Sequence, residues 1–482
     1  MRNTANMNIY ETIEKETSHF RDRTAVIEGE HTLTYGQLIS LVDEIAVLLR
    51  GAGICQFDRV ALLCGDSIEY IAASLAVLSV SAVAVPVATE HREAEIDEIL
   101  ESMAINYLIF ERGSYGEDRS DKLDVKNFSR KEFFIMPRES RKEMEQEYFK
   151  INPAFIRFSS GTTGASKGVV LSHETIIERT AAADRGLTIT HNDTVLWVLS
   201  MSFHFVVTIL LFLRRGAAIM LCGTLFPESF IDGILKHKGT FIYASPFHYS
   251  LLAHMESLSP ESLQNIRLAV STAMKLPEEV AREFHAKFGF ELSEAYGIIE
   301  AGLPFINLSS DKSRRNSVGK ALPGYEVQIV NKDKDGVGQI HIKGKGMLDA
   351  YFSPWQNREN ILDADGWFHT GDLGRIDEEG YLTIEGRDKD VINFAGMKVF
   401  PHEVESVLNQ FPGISESCVY GKDHGQYGQL PVAKVVLKEP AIGVSMEDLR
   451  RFCYQRLSKY KVPKDFECVP AIPKTGSGKI RR

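Results

Sequence analysis

The run Ser159 to Gly168 reads Ser-Ser-Gly-Thr-Thr-Gly-Ala-Ser-Lys-Gly, a concentration of glycine and hydroxyl side chains around one lysine. Gly161, Gly164 and Gly168 let the backbone take tight or left-handed turns, so peptide N–H groups and the hydroxyls of Ser159, Ser160, Thr162 and Thr163 can converge on an anion. Lys167 adds a mobile positive charge. A nucleoside triphosphate is the guest such a loop suits. The P-loop of the NTPases needs Gly-x-x-x-x-Gly-Lys-Ser/Thr between a strand and a helix. Here Lys167 lies three residues after Gly164, and the apolar run Val169 to Leu171 follows, so the expectation is strand, loop, strand. Gly476-Ser477-Gly478-Lys479 fails the same test, because Pro473 stands where the first glycine should be and Ile480 follows the lysine.

Four more stretches follow in order: Glu294-Ala-Tyr-Gly-Ile-Ile-Glu300, Thr370-Gly-Asp372, Gly380 to Glu405, and Pro473-Lys-Thr-Gly-Ser-Gly-Lys-Ile-Arg-Arg482. With Ser159 to Gly168 they resemble the motifs of the acyl-adenylate-forming (AMP-binding) superfamily of acyl-CoA synthetases, nonribosomal peptide adenylation domains and luciferases. The resemblance covers nearly the whole chain. It implies that a carboxylic acid is joined to AMP from ATP, with Mg2+ and release of pyrophosphate, and that a thiol then takes the acyl group. By the same resemblance Tyr296 stacks on adenine, Gly297 belongs to the ATP/AMP-binding set, Glu300 helps hold the metal, and Asp372 accepts both ribose hydroxyls, a task a carboxylate can do. Arg387 contacts ribose and phosphate, and Lys389 is a hinge. Lys479 bridges the acid and the α-phosphate, where it offsets charge as oxygen attacks phosphorus.

Two positions depart from the pattern. Ile299 stands where the family has a threonine that hydrogen-bonds the α-phosphate, and an aliphatic side chain cannot donate. Either a neighbouring backbone N–H or a hydroxyl such as Thr272 substitutes, or adenylation is slow. Gln339 replaces the usual glutamate.

The acid is disclosed only by class. Met201-Ser-Phe-His-Phe-Val-Val-Thr208 lacks the aspartate with which peptide-synthetase domains hold an amino group, which disfavours an α-amino acid. Phe203-His204 resembles the pair in acyl- and aryl-CoA synthetases whose ring gates the pocket. Phe205, Val207, Tyr243, Phe247, Ala273, Met274, Ile298 and Gly302 are candidate pocket walls, apolar enough for a fatty or aromatic tail. The stretch Gly396 to Glu405 and Tyr427-Gly-Gln-Leu-Pro-Val-Ala433 are nearer the acyl-CoA synthetases, so coenzyme A is the expected acceptor, with Gly396 lining the thiol tunnel. Loading of an acyl or peptidyl carrier protein stays open, as does a nucleotide-binding protein without turnover.

These residues need a scaffold. The chain has 482 residues, 44% hydrophobic and 25% charged, enough for a large core in two or more domains. A net charge of -10 disfavours general nucleic-acid binding. Six cysteines without C-x-x-C spacing, and a polar Met1 to Lys15, fit a reducing cytoplasm. Tyr70 to Ala88 carries no charge, yet its Ala and Ser content and Pro86 predict a buried helix, Ile68 to Leu78, feeding a strand, Val83 to Val87.

Elsewhere Thr32 to Tyr35, Arg59 to Cys64, Val195 to Leu199, Ala217 to Leu221, Phe241 to Ala244 and Leu268 to Ser271 read as strands, and Gly36 to Gly51 as an amphipathic helix. Alternating strands and helices imply an α/β fold with mostly parallel sheets. Residues 110 to 150 read as a charged surface excursion, and 319 to 352 as antiparallel strands. The expected architecture is a large N-terminal domain of stacked α/β subdomains plus a small β subdomain, residues 1–387, which binds ATP and the acid. A small, mobile α+β C-terminal domain, residues 388–482, carries Lys479.

Overall fold

The computed structural model describes residues 7–115, 121–123, 131–139, 144–159, 167–223, 226–395, 397–438, 445–474 and 480. They form two compact units, Met1–Glu326 with Lys343–Phe368, and Val327–Ile342 with His369–Arg482.

The first unit holds two nine-stranded sheets. One has five parallel pairings at its centre, joining Thr24–Glu28, Ala218–Leu221, Thr194–Trp197, Phe241–Ala244, Leu268–Ser271 and Ser293–Ile298. Its edges turn antiparallel, at His31–Thr34 and at Gly302–Ile306 with Lys320–Ala321. The other sheet is parallel through Tyr107–Glu111, Arg59–Leu63, Val83–Pro86 and Pro153–Ser159, then antiparallel through Lys167–Ser172 and Ala350–Tyr351. Parallel strands covered on both faces need continuous apolar runs, and Arg59–Leu63 and Val83–Pro86 are buried at every position.

The uncharged stretch from Tyr70 lies in helix Ile68–Ser79 followed by strand Val83–Pro86, close to the ranges the sequence predicts. Ser67 caps the helix by accepting from the Tyr70 N–H at 3.1 Å. Residues 68 to 78 are all buried, Glu69 and Ser74 among them, which accounts for a helix apolar over most of its circumference. No helix among the described residues is long and apolar enough to cross a membrane. Helix Tyr35–Gly51 opens on a capping box, with Thr34 and Gln37 each bonding the other's backbone N–H. Leu38, Leu41, Val42, Ile45 and Leu49 form its buried stripe.

Residues 110 to 150 differ from the expected excursion. Phe133–Pro137 pairs antiparallel with Tyr107–Glu111, and Asp121–Leu123 adds one further strand. Phe133, Ile135 and Tyr148 are buried. An edge strand needs only one apolar face, so its signal is diluted by charged neighbours.

In the second unit a four-stranded sheet runs in the order Tyr325–Val330, Gly338–Gly344, Phe368–Ile376, Leu382–Arg387. A five-stranded sheet follows, built on the long hairpin Ile414–His424 and Gly428–Leu437. Helices Pro401–Leu408 and Met446–Tyr454 supply Val404, Leu408, Leu449 and Cys453 to the core that this sheet shares with Val419, Ala433 and Val435.

Candidate active site

The glycine-rich loop is the connection of a β-hairpin. Strands Pro153–Ser159 and Lys167–Ser172 pair antiparallel, with Phe158 opposite Gly168 and Ser159 opposite Lys167. A second strand therefore follows the loop, as expected, and the P-loop reading falls on topology. Ser160, Gly161, Thr162, Thr163 and Gly164, and the side chain of Ser159, lie outside the described residues. Gly168 is fixed by packing: a Cβ there would stand 2.6 Å from Met103 Sδ and 2.9 Å from Ile156 Cγ2.

Lys167 reaches over the ring of Tyr351, with Nζ 4.6 Å from its centroid. Tyr351 is carried on the neighbouring strand, opposite Val169. Asp349 secures that strand, accepting from the Ser172 N–H at 2.6 Å and the Thr175 hydroxyl at 3.0 Å. The Tyr351 hydroxyl donates to Glu300 Oε1 at 3.2 Å. Burial first, and then the negative charge of Glu300, push the Tyr351 phenol well above its ordinary range. One tyrosine thus joins the lysine after the glycine-rich loop to the carboxylate expected to hold the metal.

Glu300 sits in the turn between strands Ser293–Ile298 and Gly302–Ile306. Gly297 is required there, because a Cβ would stand 2.5 Å from the Gly302 carbonyl oxygen. Gly302 itself has φ +89°, a conformation that favours glycine. Tyr296 is half-buried, its ring tilted against Phe305 at 6.1 Å. The turn is held through its backbone. Arg179, on helix His173–Leu187, donates from Nη1 to the Ile299 carbonyl and from Nε to the Gly346 carbonyl, both at 2.9 Å. The Tyr325 hydroxyl donates to the Ala301 carbonyl at 2.8 Å, and the Leu348 N–H to the Glu300 carbonyl at 2.7 Å. Burial lowers the Arg179 guanidinium to about 10. The turn therefore stands without help from the Ile299 side chain.

Phe203 and His204 belong to a helix of three parts: α over Met201–His204, π over Phe205–Ile209, and α again over Leu210–Arg214. Such π segments are frequent at functional sites. The first turn is anchored by Asp66, whose Oδ1 and Oδ2 accept from the Met201 N–H at 2.9 and 3.1 Å. Burial pushes the Asp66 carboxyl up to about 7, against the lowering effect of that bond. The His204 ring meets Trp197 edge-on at 6.3 Å, and Trp197 stacks on Tyr243 at 5.7 Å.

The candidate pocket walls fall into three groups. Phe205 and Tyr243 are buried, Phe205 with its ring edge against Tyr70 at 5.8 Å. Burial raises the Tyr243 phenol to about 12, an effect that the Thr272 hydroxyl partly offsets. Val207, Ile298 and Ala273 are half-buried, and Ala273 has φ +73°. Phe247 and Met274 are 62% and 42% exposed. The loop bearing Thr272 to Met274 is tied down by Glu294, whose Oε1 accepts from the Leu276 N–H at 2.9 Å.

In the second unit Asp372 and Arg387 meet across neighbouring strands, Arg387 Nε standing 2.7 Å from Asp372 Oδ1. Thr370 supports them, accepting from the Asp372 N–H at 3.0 Å and donating to the Ile340 carbonyl at 2.8 Å. Lys389 is exposed, in the short turn Asp388–Asp390. Gln339 has a partner on each side: its Nε2 donates to Asp388 Oδ2 at 3.1 Å, and its Oε1 accepts from Asn331 at 3.3 Å. A glutamate there would set a second carboxylate against Asp388. Gly396 and Lys479 lie outside the described residues. Their neighbours are tethered, Ala395 by its N–H to the Tyr427 carbonyl at 2.8 Å, and Ile480 by an antiparallel bridge to Lys474.

Sequence reasoning missed Arg179, Asp66, Tyr351 and above all Arg157, which it passed over inside an apolar run. Arg157 precedes the loop by two residues and lies over the Phe203 ring, 5.5 Å from its centroid. The signal was a cation in a strand of otherwise buried type.

Residues 13–352 match the AMP-binding enzyme family, and residues 403–479 match the AMP-binding enzyme C-terminal domain. A long-chain-fatty-acid–CoA ligase of Mycobacterium tuberculosis is 29% identical, with 93% of this chain and 91% of that protein covered. The 3-[(3aS,4S,7aS)-7a-methyl-1,5-dioxo-octahydro-1H-inden-4-yl]propanoyl:CoA ligase of Rhodococcus jostii is 26% identical, with 98% and 96% covered. Among solved structures, the o-succinylbenzoate CoA synthetase of Bacillus subtilis in complex with its acyl-adenylate intermediate superimposes with a TM-score of 0.83, at 26% identity over 99% of this chain and 97% of that one. The chain is a member of the AMP-binding enzyme family.

Proposed function

We propose that this protein is an AMP-forming acid–thiol ligase that activates a fatty or aromatic carboxylic acid and passes it to coenzyme A. The observation that carries the reading is the placing of Lys167 and Glu300 on opposite attachments of one tyrosine, Tyr351, at the end of the glycine-rich hairpin. A cation for phosphate and an anchored carboxylate side by side suit a triphosphate bound with a divalent ion.

In the first half-reaction an oxygen of the acid attacks the α-phosphorus, and the bond to the β-phosphate oxygen breaks. Glu300 offers the oxygen ligand that magnesium takes, with Tyr351 fixing its orientation; when bound, the ion supplies positive charge to the phosphate oxygens. Ser159 to Gly164 and Lys167 cradle the phosphates, Tyr296 and Gly297 flank adenine, and Asp372 and Arg387 hold the ribose. Lys479 offsets charge between acid and α-phosphate. In the second half-reaction the thiol sulfur attacks the acyl carbon and AMP leaves. Rotation of residues 388–482 about Lys389 exchanges Lys479 for the segment bearing Gly396, where a side chain would obstruct the pantetheine arm. His204 gates the acid pocket, and a reducing compartment, the cytoplasm, is the setting that six unpaired thiols support.

The test is acid-dependent exchange of labelled pyrophosphate into ATP, with magnesium, across fatty, aryl and α-amino acids. Exchange with fatty or aryl acids, followed by thioester formation on free coenzyme A, is expected. ATP binding with silence across the panel overturns the reading. Lys479→Ala is expected to abolish exchange while sparing acyl transfer from preformed acyl-AMP; equal loss of both would refute its role.

A further inference from the structure

We propose that Arg157 is a substrate-binding residue, its guanidinium edge completed by an oxyanion of the reactants, either the α-phosphate of the nucleotide or the carboxylate of the acid. The proposal rests on the adenylation reading above.

Arg157 stands on strand Pro153–Ser159, opposite Val169 and two residues before the phosphate loop begins. The guanidinium carbon lies over the ring of Phe203, the neighbour of His204, 5.5 Å from its centroid. Such a cation–π contact occupies none of the guanidinium's N–H donors with a hydrogen-bond acceptor. Nε is buried and has no hydrogen-bond partner among the described residues. Buried donors are almost always paired, so an open one on a charged group calls for a partner. Glu300 is the carboxylate whose charge most favours the Arg157 cation, yet its Oε1 already accepts from Tyr351. Burial outweighs that help and lowers the guanidinium to about 10.

Two guanidinium groups, those of Arg157 and Arg179, draw on the single carboxylate of Glu300. Removing charges from water without full compensation is costly, and an arriving oxyanion supplies what is missing. Ile299 offers no donor in this region, so Arg157 also fills a chemical gap. A guanidinium can give an oxyanion two parallel N–H bonds, more than a threonine hydroxyl could.

The experiment compares Arg157→Gln, Arg157→Met and Arg157→Lys with the natural protein, each checked by thermal melting. Calorimetric titration with MgATP, without acid, reads the phosphate arm; the KM for the acid in pyrophosphate exchange reads the carboxylate arm. Loss of a charge-assisted bond is expected to weaken one arm about ten- to a hundredfold in the Gln and Met variants, and less in Lys. A weakened MgATP titration identifies the phosphate; an unchanged titration with a raised acid KM identifies the carboxylate. Both arms within about twofold of the natural protein in folded Arg157→Gln overturn the proposal, as does a Lys variant no better than Met. Should Gln and Met fail to fold, Lys alone decides: a loss of about threefold or more in one arm supports the proposal, and unchanged arms overturn it. If the natural protein binds MgATP but exchanges with no acid, the adenylation reading fails while the MgATP arm still tests Arg157.

Discussion

Arg387 Nε lies 2.7 Å from Asp372 Oδ1, and the two residues are direct partners across adjacent strands. The pair is lopsided, with Asp372 buried and the Arg387 side chain 41% exposed. Arginine thus orients the carboxylate from its solvent side without enclosing it, which leaves Asp372 directed by the fold.

Asp372→Asn keeps the shape and removes the charge. Because the pair is half in solvent, stability should fall by less than about 1 kcal/mol. The KM for ATP should rise about tenfold or more, as expected when a charged acceptor is lost. A large drop in melting temperature with unchanged KM would make the pair structural.

Ile299→Thr restores a hydroxyl where the family has one. Arg179 and Tyr325 hold the turn through carbonyl oxygens, so the exchange should leave the turn in place. We expect kcat/KM for ATP in the exchange reaction to rise about three- to tenfold, the net worth of one hydrogen bond. No gain would mean that the phosphate already has its donors.

Gln339→Glu sets a carboxylate against Asp388, which the amide now serves as donor at 3.1 Å. Both groups are at the surface, so the loss should stay below about 1 kcal/mol and fade in high salt. Gln339→Met should show a loss that salt does not relieve. Denaturant melts at low and high salt separate the two; identical salt dependence would exclude the charge argument.

Glu294 gives a pH signature. Burial raises its carboxyl from 4.5 to about 7, so between those values the folded state keeps a proton that the unfolded state has released. Stability then falls as pH rises through this window and levels off above it. Glu294→Gln keeps an acceptor for the Leu276 N–H and removes the titration. It should flatten the decline by on the order of 3 kcal/mol in urea melts from pH 4.5 to 8. Parallel curves for the two proteins would refute the assignment.

The strands at Arg59–Leu63, Phe241–Ala244 and Leu268–Ser271 were legible because buried parallel strands are uninterrupted apolar runs. The strand after the glycine-rich loop, although antiparallel to its neighbours, was legible from the buried apolar run Val169 to Leu171, and it excluded the P-loop. Phe133–Pro137 was not, since one apolar face at a sheet edge among charged neighbours leaves a weak pattern. The sequence shows Gln339 only as a departure from the usual glutamate; its partner Asp388 lies 49 positions away along the chain. Arg179 escaped because nothing local distinguishes a buried arginine from an exposed one, whereas Arg157 had a local mark, a cation within an apolar run. Arg179 is 167 residues from Gly346, and spacing along a chain carries no information about such partners.

The π segment Phe205–Ile209 has a geometric consequence. A π turn holds one residue more than the surrounding α-helix, and one residue corresponds to about 100° of rotation about the axis. The angular phase of Met201–His204 is therefore offset from that of Leu210–Arg214, so the leading turn can address Trp197 and Arg157 while Leu210 to Leu213 stay in the core. Swapping one aliphatic residue for another at Val206 or Val207 leaves that offset untouched. Deleting Val206 cancels it, and Phe203 with His204 would swing off their bearing although every candidate wall of the pocket had been kept.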